Sequence, residues 1–532
     1  MPLTRRDWLV GSSSLTLGAC AEAPPRPQAP PGPPKPPAPP APRPPPALAD
    51  VLGRALDTAK RQGATYADAR VHQRRTSRVV TREDHVASVS DDEIYGVGVR
   101  VIADGAWGFA SSSAVDDAAA ADAARRAVAV AKANAAARRR PVELAPAGTY
   151  RDTWSTELSV DPFAVPLAER AALALSFWPE AKKVPGVAFC TGRAEAFGEW
   201  KLFASTEGSL IEQSVTRVGA SYELTAKNDA GEFVTRASEL PPRQAGWEYV
   251  TGSSLVRGAR QAAEEAVEKL KAPGVAPGQR DLVLAPSNLW LTIHESVGHP
   301  TELDRAKGYE ANMAGTSFAT PDKLGRLRYA SSIVTLYADK TTPGGLATCG
   351  YDDDGVKTQR WDLVKDGTFV GYQTTRDQAA WVGERASRGT SYAQDHRSVA
   401  FQRMPNVSLA PGAREAGVAD LVAATDDGIL VTGNGSWSID HQRYNFQFGG
   451  QMFYEIKKGK IARALKDVAY QSNTLDFWGG CDLIGGQAAW ELHGSLQDGK
   501  GEPAQSNAVS HGCPPARFRK VNVINTGART KA

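Results

Sequence analysis

The first half of the chain contains two stretches with the pattern of a helix. Residues 48–61 place apolar side chains at helical spacing. Residues 115–137 are rich in alanine, the residue with the highest helix propensity, and Ser113 or Asp116 is suited to cap their N-terminus. The pattern therefore predicts one helix in each stretch.

Other runs in this half alternate apolar and polar positions, as strands do. They lie around residues 69–80 and 95–101. Asp104-Gly105 lies between two apolar runs and is typical of a tight hairpin turn. The alternation of strands and helices continues to a segment rich in Pro and Gly at residues 271–278, which is predicted to link two domains. We therefore expect an α/β domain over residues 48–272.

The pattern changes after this linker. From Arg280 onward, short apolar runs are separated by Gly, Asp and Asn, and helical stretches are few. No internal repeat of fixed period is detected. The pattern predicts a mainly β domain over residues 279–532, so the whole chain is expected to have an α+β fold.

Composition excludes several classes of protein. Of the 532 residues 42% are hydrophobic and 23% charged, which is typical of folded domains. The chain has 62 Lys and Arg residues and 59 Asp and Glu residues, and the basic residues are spread along the chain. We therefore expect no nucleic-acid partner. Five scattered cysteines form no C-x-x-C pair. A metal site would therefore depend mainly on histidine and carboxylate.

The first 47 residues have the pattern of an export signal and a tether. Arg5-Arg6 and a weakly apolar run resemble a Tat-type signal over residues 1–19, and the run ends in a lipobox-like sequence at Cys20, which would be lipidated. Residues 20–47 form a Pro-rich linker. No later segment is apolar enough to span a bilayer. We expect an exported lipoprotein of the periplasm or cell envelope that contacts the membrane only through its lipid.

The candidate chemistry lies just after the inter-domain linker. His294, Glu295 and His299 form an H-E-x-x-x-H motif, which supplies two nitrogen ligands and a carboxylate base for a hydrolytic zinc site. On a regular helix this spacing sets the imidazoles about 140° apart, too far for chelation. A π-bulge would return both to one face, and Gly298 and Pro300 fit a helix that is distorted and then stopped there. Because roughly 0.01 such motifs are expected by chance, the motif predicts a metal site.

The motif continues as x-x-E-x-D and resembles the signature of the TldD/PmbA metalloprotease family. Further segments similar to the family, in the same order, are Gly96-Val97-Gly98-Val99-Arg100, Asp104-Gly105-Ala106-Trp107-Gly108-Phe109, Ser205-Thr206-Glu207-Gly208, Asp352-Asp353-Asp354-Gly355-Val356, Gly371-Tyr372, Met404-Pro405-Asn406, Pro411-Gly412 and Gly499-Lys500-Gly501. The resemblance implies an α/β domain followed by a β-rich domain that carries zinc. It also implies a two-subunit particle, either a homodimer or a heterodimer with a TldE/PmbA-like subunit, whose enclosed site admits unfolded peptides.

The third zinc ligand is the point at which the chain departs from the family pattern. The resemblance places that ligand directly before Gly499-Lys500, where the family has a cysteine and this chain has Asp498. Aspartate is an accepted zinc ligand, so the substitution is chemically tolerable. Asp498 is therefore our predicted ligand, and a plain turn residue before Gly499 is the competing interpretation. Alternative third ligands are Cys513, His511 and His493.

These residues predict a zinc-dependent peptidase that hydrolyses unfolded or extended peptides. Glu295 is expected to take a proton from the attacking water and to deliver it to the leaving amine. Glu302 and Asp304 either orient the ligand imidazoles or cap a broken helix. The remaining histidines His72, His85 and His396 lie in polar stretches and are expected at the solvated surface.

Two other functions compete with this one. The chain would be a catalytically inactive lipoprotein, acting as a binding or assembly module, if the missing cysteine marks the loss of the metal site. The retention of His294, Glu295 and His299 argues against that. A role as modulator of a DNA enzyme is suggested by an older name for the family, and the predicted export argues against it.

Overall fold

The computed structural model describes residues 46–527. The predicted export signal, Cys20 and nearly all of the Pro-rich linker lie outside the described residues. Within the described part of the chain, no helix has the length and apolar character needed to cross a membrane.

The N-terminal half is built on one seven-stranded sheet. Its strands follow the order β3-β2-β1-β5-β6-β4, with β7 also paired to β6. All pairs are antiparallel except β4 with β6. The strands are β1 Tyr66–Arg82, β2 His85–Ala103, β3 Ala106–Ser112, β4 Arg151–Ser155, β5 Val187–Ser205, β6 Leu210–Lys227 and β7 Phe233–Ala237. The helices are α1 Pro46–Arg61, α2 Asp117–Ala135, α3 Leu167–Leu175, α4 Phe177–Ala181, α5 Glu248–Thr251 and α6 Leu255–Lys271.

Local sequence signals explain several of these boundaries. The α1 helix begins two residues before the predicted start, and α2 begins after Asp116, whose Oδ1 accepts a hydrogen bond from the Ala119 N–H at 2.8 Å. Asp104 and Gly105 both have positive φ, 51° and 73°, as a two-residue hairpin turn between β2 and β3 requires. The predicted helices, strands and hairpin of this half are therefore confirmed.

The C-terminal half is mainly strand. The strands are β8 Gly278–Leu284, β9 Leu336–Asp339, β10 Arg360–Lys365, β11 Thr368–Phe369, β12 Ser391–Tyr392, β13 Phe401–Gln402, β14 Asn406–Leu409, β15 Asp427–Ile439, β16 Asn445–Lys457, β17 Lys460–Leu465, β18 Val468–Asn473, β19 Cys481–Ile484, β20 Glu491–Lys500, β21 Gln505–Cys513 and β22 Ala516–Asn525. The α-helices are α7 Pro286–Ile293, α8 Leu303–Ala306, α9 Val418–Ala423 and α10 Thr474–Gly479. Short 3₁₀ turns lie at Pro321–Lys323, Ala379–Val382 and Gln487–Ala489.

The main C-terminal sheet positions the candidate site. Its order is β15-β8-β22-β18-β16-β17, and an additional pairing of β15 with β16 closes five of these strands into a ring. The α7 helix follows β8 directly, and all eight of its residues are buried. Smaller sheets are formed by β11-β10-β9-β14, β12-β13 and β20-β21. The fold is mixed α+β, as predicted.

A buried polar seam joins the N-terminal sheet to the loops after β9. Arg100 lies 2.8 Å from Asp68 and 2.6 Å from Asp354, and Lys201 Nζ lies 2.9 Å from Asp353 Oδ2. This seam corrects the prediction for two histidines, because His72 and His396 are 2% and 6% exposed rather than solvated. The sequence was misleading because polar residues around them were interpreted as surface, whereas they pair with one another across the seam.

Candidate metal centre

The H-E-x-x-x-H motif lies where the α7 helix changes its winding. Residues His294–Gly298 form a π-helical turn, in which the His299 N–H bonds the His294 carbonyl, and His299–Thr301 form a 3₁₀ turn. The predicted π-bulge is therefore confirmed. A Cβ at Gly298 would lie 2.5 Å from Met404 Sδ, so a larger residue there would have to displace the Met404 side chain.

The π turn places the two motif imidazoles together with Asp498. The His294 and His299 rings are 4.6 Å apart between centroids. Asp498 Oδ1 lies 3.6 Å from His294 Nε2 and 3.7 Å from His299 Nε2. One possible ligand atom from each of the three residues lies within 4.8 Å of the other two, and all three residues are buried. We call these residues the metal triangle.

Asp498 reaches the triangle from β20. A bulge interrupts the pairing of β20 with β21 between Ser495 and Asp498. Beyond it, strand alternation turns Asp498 and Lys500 inward and leaves Gly499 outside. Arg403 bonds the Asp498 backbone carbonyl and lies 3.3 Å from Asp498 Oδ2. Burial raises the pKa of Asp498, and the Arg403 charge opposes that shift.

The proton positions on the imidazoles suit a zinc ion. His511 Nδ1 lies 2.8 Å from the Val407 carbonyl, which only accepts, so His511 Nε2 is left to accept from His294 Nδ1 at 2.8 Å. His294 Nε2 then keeps its lone pair for the triangle. Burial, assisted by the charge of Arg443, lowers the pKa of His294 to about 3, so the ring is neutral near pH 7. Two neutral imidazoles with a carboxylate form a donor set that zinc accepts, so the residues present fit the metal.

His299 is oriented by a second hydrogen-bonded group. Its Nδ1 lies 3.0 Å from Glu302 Oε2, which also accepts from Arg305 Nε at 3.1 Å. Lys500 Nζ lies 3.3 Å from Glu302 Oε1 and 2.8 Å from Asp304 Oδ1. Burial alone would raise the pKa of Glu302, but the charge of Lys500 and the hydrogen bond with His299 hold it well below its usual range. Glu302 therefore contacts the His299 imidazole directly, whereas Asp304 reaches the site through Lys500.

Glu295 lies beside the metal triangle with its own partners. Its carboxylate forms an ion pair with Arg443, the Trp437 side chain lies near enough to lower its pKa slightly, and the Glu295 side chain is 7% exposed. Burial raises the pKa of Glu295, and the Arg443 charge opposes this. Arg443 has a φ of 63° and its backbone carbonyl accepts from Thr474 Oγ1 at 2.9 Å. A carboxylate held in this way is suited to exchange a proton with a neighbouring water.

The alternative third ligands are engaged elsewhere. His511 bonds His294 and stacks on Trp290 at 6.0 Å between ring centroids. Cys513 Sγ lies 3.8 Å from the Pro286 carbonyl, and His493 Nε2 lies 2.9 Å from Glu491. Among residues 46–527, the metal triangle is the only group of three His, Cys, Asp or Glu residues with this ligand spacing.

Some functional groups were missed by the sequence analysis. These are Arg403, Arg443, Trp437 and the hydrogen-bonding role of His511. Each approaches the site across at least 95 residues of chain, and the sequence carries no periodic signal for such contacts. Lys500 could have been found from the sequence, because strand alternation puts it on the same face as Asp498.

The sequence matches one known protein family along most of its length. The profile of the PmbA/TldA metallopeptidase C-terminal domain matches residues 277–525, which include the whole metal triangle. Profiles of domain 1 and of the central domain of the same metallopeptidases match residues 67–131 and 160–272. The chain belongs to the PmbA/TldD family. Its class, that of the metallopeptidases, agrees with the prediction from the motif.

Individual proteins of the PmbA/TldD family are similar to this chain in sequence or in fold. A protein from Methanothermobacter thermautotrophicus, named metalloprotease, is 27% identical over 461 residues, or 87% of this chain and 96% of that protein. A zinc metalloprotease TldD homolog from Saccharolobus solfataricus is 23% identical over 263 residues, or 48% of this chain and 54% of that protein. The structure of TldE from Thermococcus kodakarensis superposes with a TM-score of 0.69 at 16% identity, over 89% of this chain and 99% of that chain, which shows the shared fold.

Proposed function

We propose that this PmbA/TldD protein is a zinc-dependent peptidase that hydrolyses unfolded or extended polypeptides. The observation that carries the proposal is the metal triangle, with the Glu295 carboxylate beside it. His294, His299 and Asp498 would hold the zinc. A zinc ion bound there supplies a Lewis acid, which acidifies water and polarises a peptide carbonyl.

The residues of the chain supply the proton transfers and the geometry. Glu295 accepts the proton of the attacking water and returns it to the nitrogen of the leaving amine. The ion pair with Arg443 holds its carboxylate in one orientation. His511 and Glu302 hold the ligand imidazoles, so the site is arranged before substrate arrives.

An exposed strand edge supports an extended substrate. The β8 strand pairs with β15 only over Gly428–Val431 of β15. Within residues 46–527, positions 435–439 of β15 pair with β16 and with no other strand. This segment contains Trp437 and therefore passes beside Glu295. A free edge accepts an extended peptide by strand addition, whereas a folded protein seldom offers a strand for pairing.

Cleavage of one substrate protein in two states tests the proposal. We expect the zinc-loaded enzyme to digest the reduced and alkylated form of a disulfide-rich protein and to leave its native form intact, because only the unfolded chain can lie along the β15 edge. Mass spectrometry of the products measures this. Removal of zinc by a chelator should abolish the cleavage, and zinc should restore it. Undiminished activity without metal, or equal digestion of the native form, would contradict the proposal.

We also propose the two-subunit assembly that the family resemblance implies, as a homodimer or as a heterodimer with a TldE/PmbA-like subunit. The shared fold with TldE supports it, since two chains of like fold can form a closed pair. Light scattering of the purified protein, alone and with such a partner, measures the assembly. A monomer under both conditions would contradict it.

We further propose that the protein is an exported lipoprotein anchored through Cys20. The twin arginine and the lipobox-like sequence before Cys20 support this. Cys20→Ser should release the protein from the membrane fraction or leave its precursor uncleaved. Cys190→Ser is the matched control, because Cys190 is buried in the N-terminal sheet. Unchanged processing and membrane fractionation of Cys20→Ser would refute lipidation.

An inactive binding module is the alternative, and the aspartate at position 498 favours it. The contacts of the site favour the peptidase, because Arg403 holds Asp498 and His511 holds His294. These contacts hold the possible ligand atoms in fixed positions, as a metal site requires. The alternative becomes the better one if the protein binds no zinc.

A further inference from the structure

We propose that Trp437 is a specificity-determining residue, which selects peptides with a large apolar or aromatic side chain beside the scissile bond. The proposal rests on the proposed peptidase function. It adds a side-chain preference to a strand edge that otherwise binds main chain.

A β-bulge aims Trp437 at the site. Asn434 pairs with Gly450 and Trp437 with Phe448, so two residues of β15 stand opposite one residue of β16. Bulges of this kind redirect side chains and are common beside active sites. A Cβ at Gly435 would lie 2.6 Å from the Gly450 nitrogen, so the bulge is built for a glycine at that position.

The redirected indole is exposed although it lies beside a buried group. Trp437 is 57% exposed, and no other tryptophan in the described part of the chain is equally accessible. It lies on the same β15–β16 hairpin as Arg443, which pairs with the buried Glu295, and its side chain is near the Glu295 carboxylate. The ring is therefore beside the reacting centre, and much of its apolar surface is left free. An apolar surface of this size beside a reacting group is typical of a ligand contact.

The residues around Trp437 leave room for a substrate side chain. Its neighbours along the strand include Gly435, Ser436 and Ser438, which are small, and Trp437 remains largely exposed. A peptide added to the free edge of β15 would place one residue opposite Trp437, and aromatic cross-strand pairs attract each other.

The charge beside the ring favours an apolar side chain over a basic one. Arg443 pairs with the Glu295 carboxylate, which is the carboxylate near the indole. This carboxylate is therefore not free to pair with a lysine or arginine side chain of the substrate. The substrate class is therefore an extended peptide with Phe, Tyr, Trp or Leu opposite Trp437.

Matched peptides that differ at one position test the inference. We expect the wild-type enzyme to show a kcat/KM about tenfold higher for Phe than for Ser or Lys at the position beside the cleaved bond. In Trp437→Ala the Phe-to-Ser ratio should fall towards one, mainly through KM, and Trp437→Phe should retain most of it. The ratio is the readout, since any effect of the substitution on Glu295 changes the rate for every peptide alike. Phe233→Ala, which removes a 70% exposed ring from β7, is the control and should keep the wild-type ratio.

Three outcomes would overturn the inference. An unchanged Phe-to-Ser ratio in Trp437→Ala would remove Trp437 from substrate selection. A preference for Lys that disappears in the same variant would assign the ring to cation binding. If no peptide is cleaved, the proposed function fails, and fluorescence anisotropy of the same peptides with Glu295→Gln protein tests Trp437 separately. Equal binding of the Phe and Ser peptides there would also overturn it.

Discussion

Replacing Glu295 by glutamine is expected to reduce peptide hydrolysis by at least about 100-fold while zinc stays bound. Glutamine keeps the size of the side chain and an oxygen for Arg443, but it cannot accept the proton of the attacking water. His294, His299 and Asp498 are unchanged, so metal content should remain at the wild-type level. Steady-state kinetics and elemental analysis of one preparation measure both quantities.

A matched variant controls for the lost ion pair. Glu455 also pairs with an arginine, with its Oε2 at 2.7 Å from Arg463 Nε, and lies on β16 outside the metal triangle. Glu455→Gln should keep wild-type activity. Equal activity of wild type and Glu295→Gln would remove Glu295 from the mechanism, and loss of zinc in Glu295→Gln would make it a ligand.

Replacing Asp498 by alanine is expected to remove most of the stabilisation that zinc gives the protein. Ligand that binds only the folded state stabilises by mass action, by about 2.7 kcal/mol at a hundredfold excess over the dissociation constant. With two imidazoles left, the site should bind zinc far more weakly. Melting of wild type and variant, each with and without zinc, measures the increment. The loss of the partner of Arg403 lowers the stability under both conditions and cancels in this difference.

Cys513→Ala is the matched control for Asp498. Cys513 is fully buried, and its sulfur faces the Pro286 carbonyl rather than the metal triangle. This variant should keep the zinc-dependent increment even if it melts at a lower temperature. The reverse pattern would make Cys513 the third ligand. A wild type without any zinc dependence would favour the inactive module.

Much of the fold was predictable because its signals are local. Asp104-Gly105 specifies a hairpin by turn geometry, and Asp116 caps α2 with a hydrogen bond three residues away. The burial of His72 and His396 was not predictable in the same way. Their burial depends on contacts between distant segments, such as Arg70 with the Ser398 carbonyl 328 residues away, and a polar sequence gives the same pattern whether it faces water or another polar segment.

In the candidate site too, some residues could be predicted from the sequence and others could not. The spacing of His294 and His299 demanded a distorted helix, and the structure has the π turn there. The position of Asp498 came from the family resemblance, and the structure brings it to both imidazoles. Arg443 could not be found, because a positive φ in an arginine has no sequence signature and its partner lies 148 residues away.

Anomalous diffraction at the zinc absorption edge tests the central claim most directly. Crystals of the zinc-loaded protein should contain one strong peak between His294 Nε2, His299 Nε2 and Asp498, about 2.0–2.2 Å from each ligand atom. A peak bonded to the Cys513 sulfur, or no peak among these residues, would contradict the account.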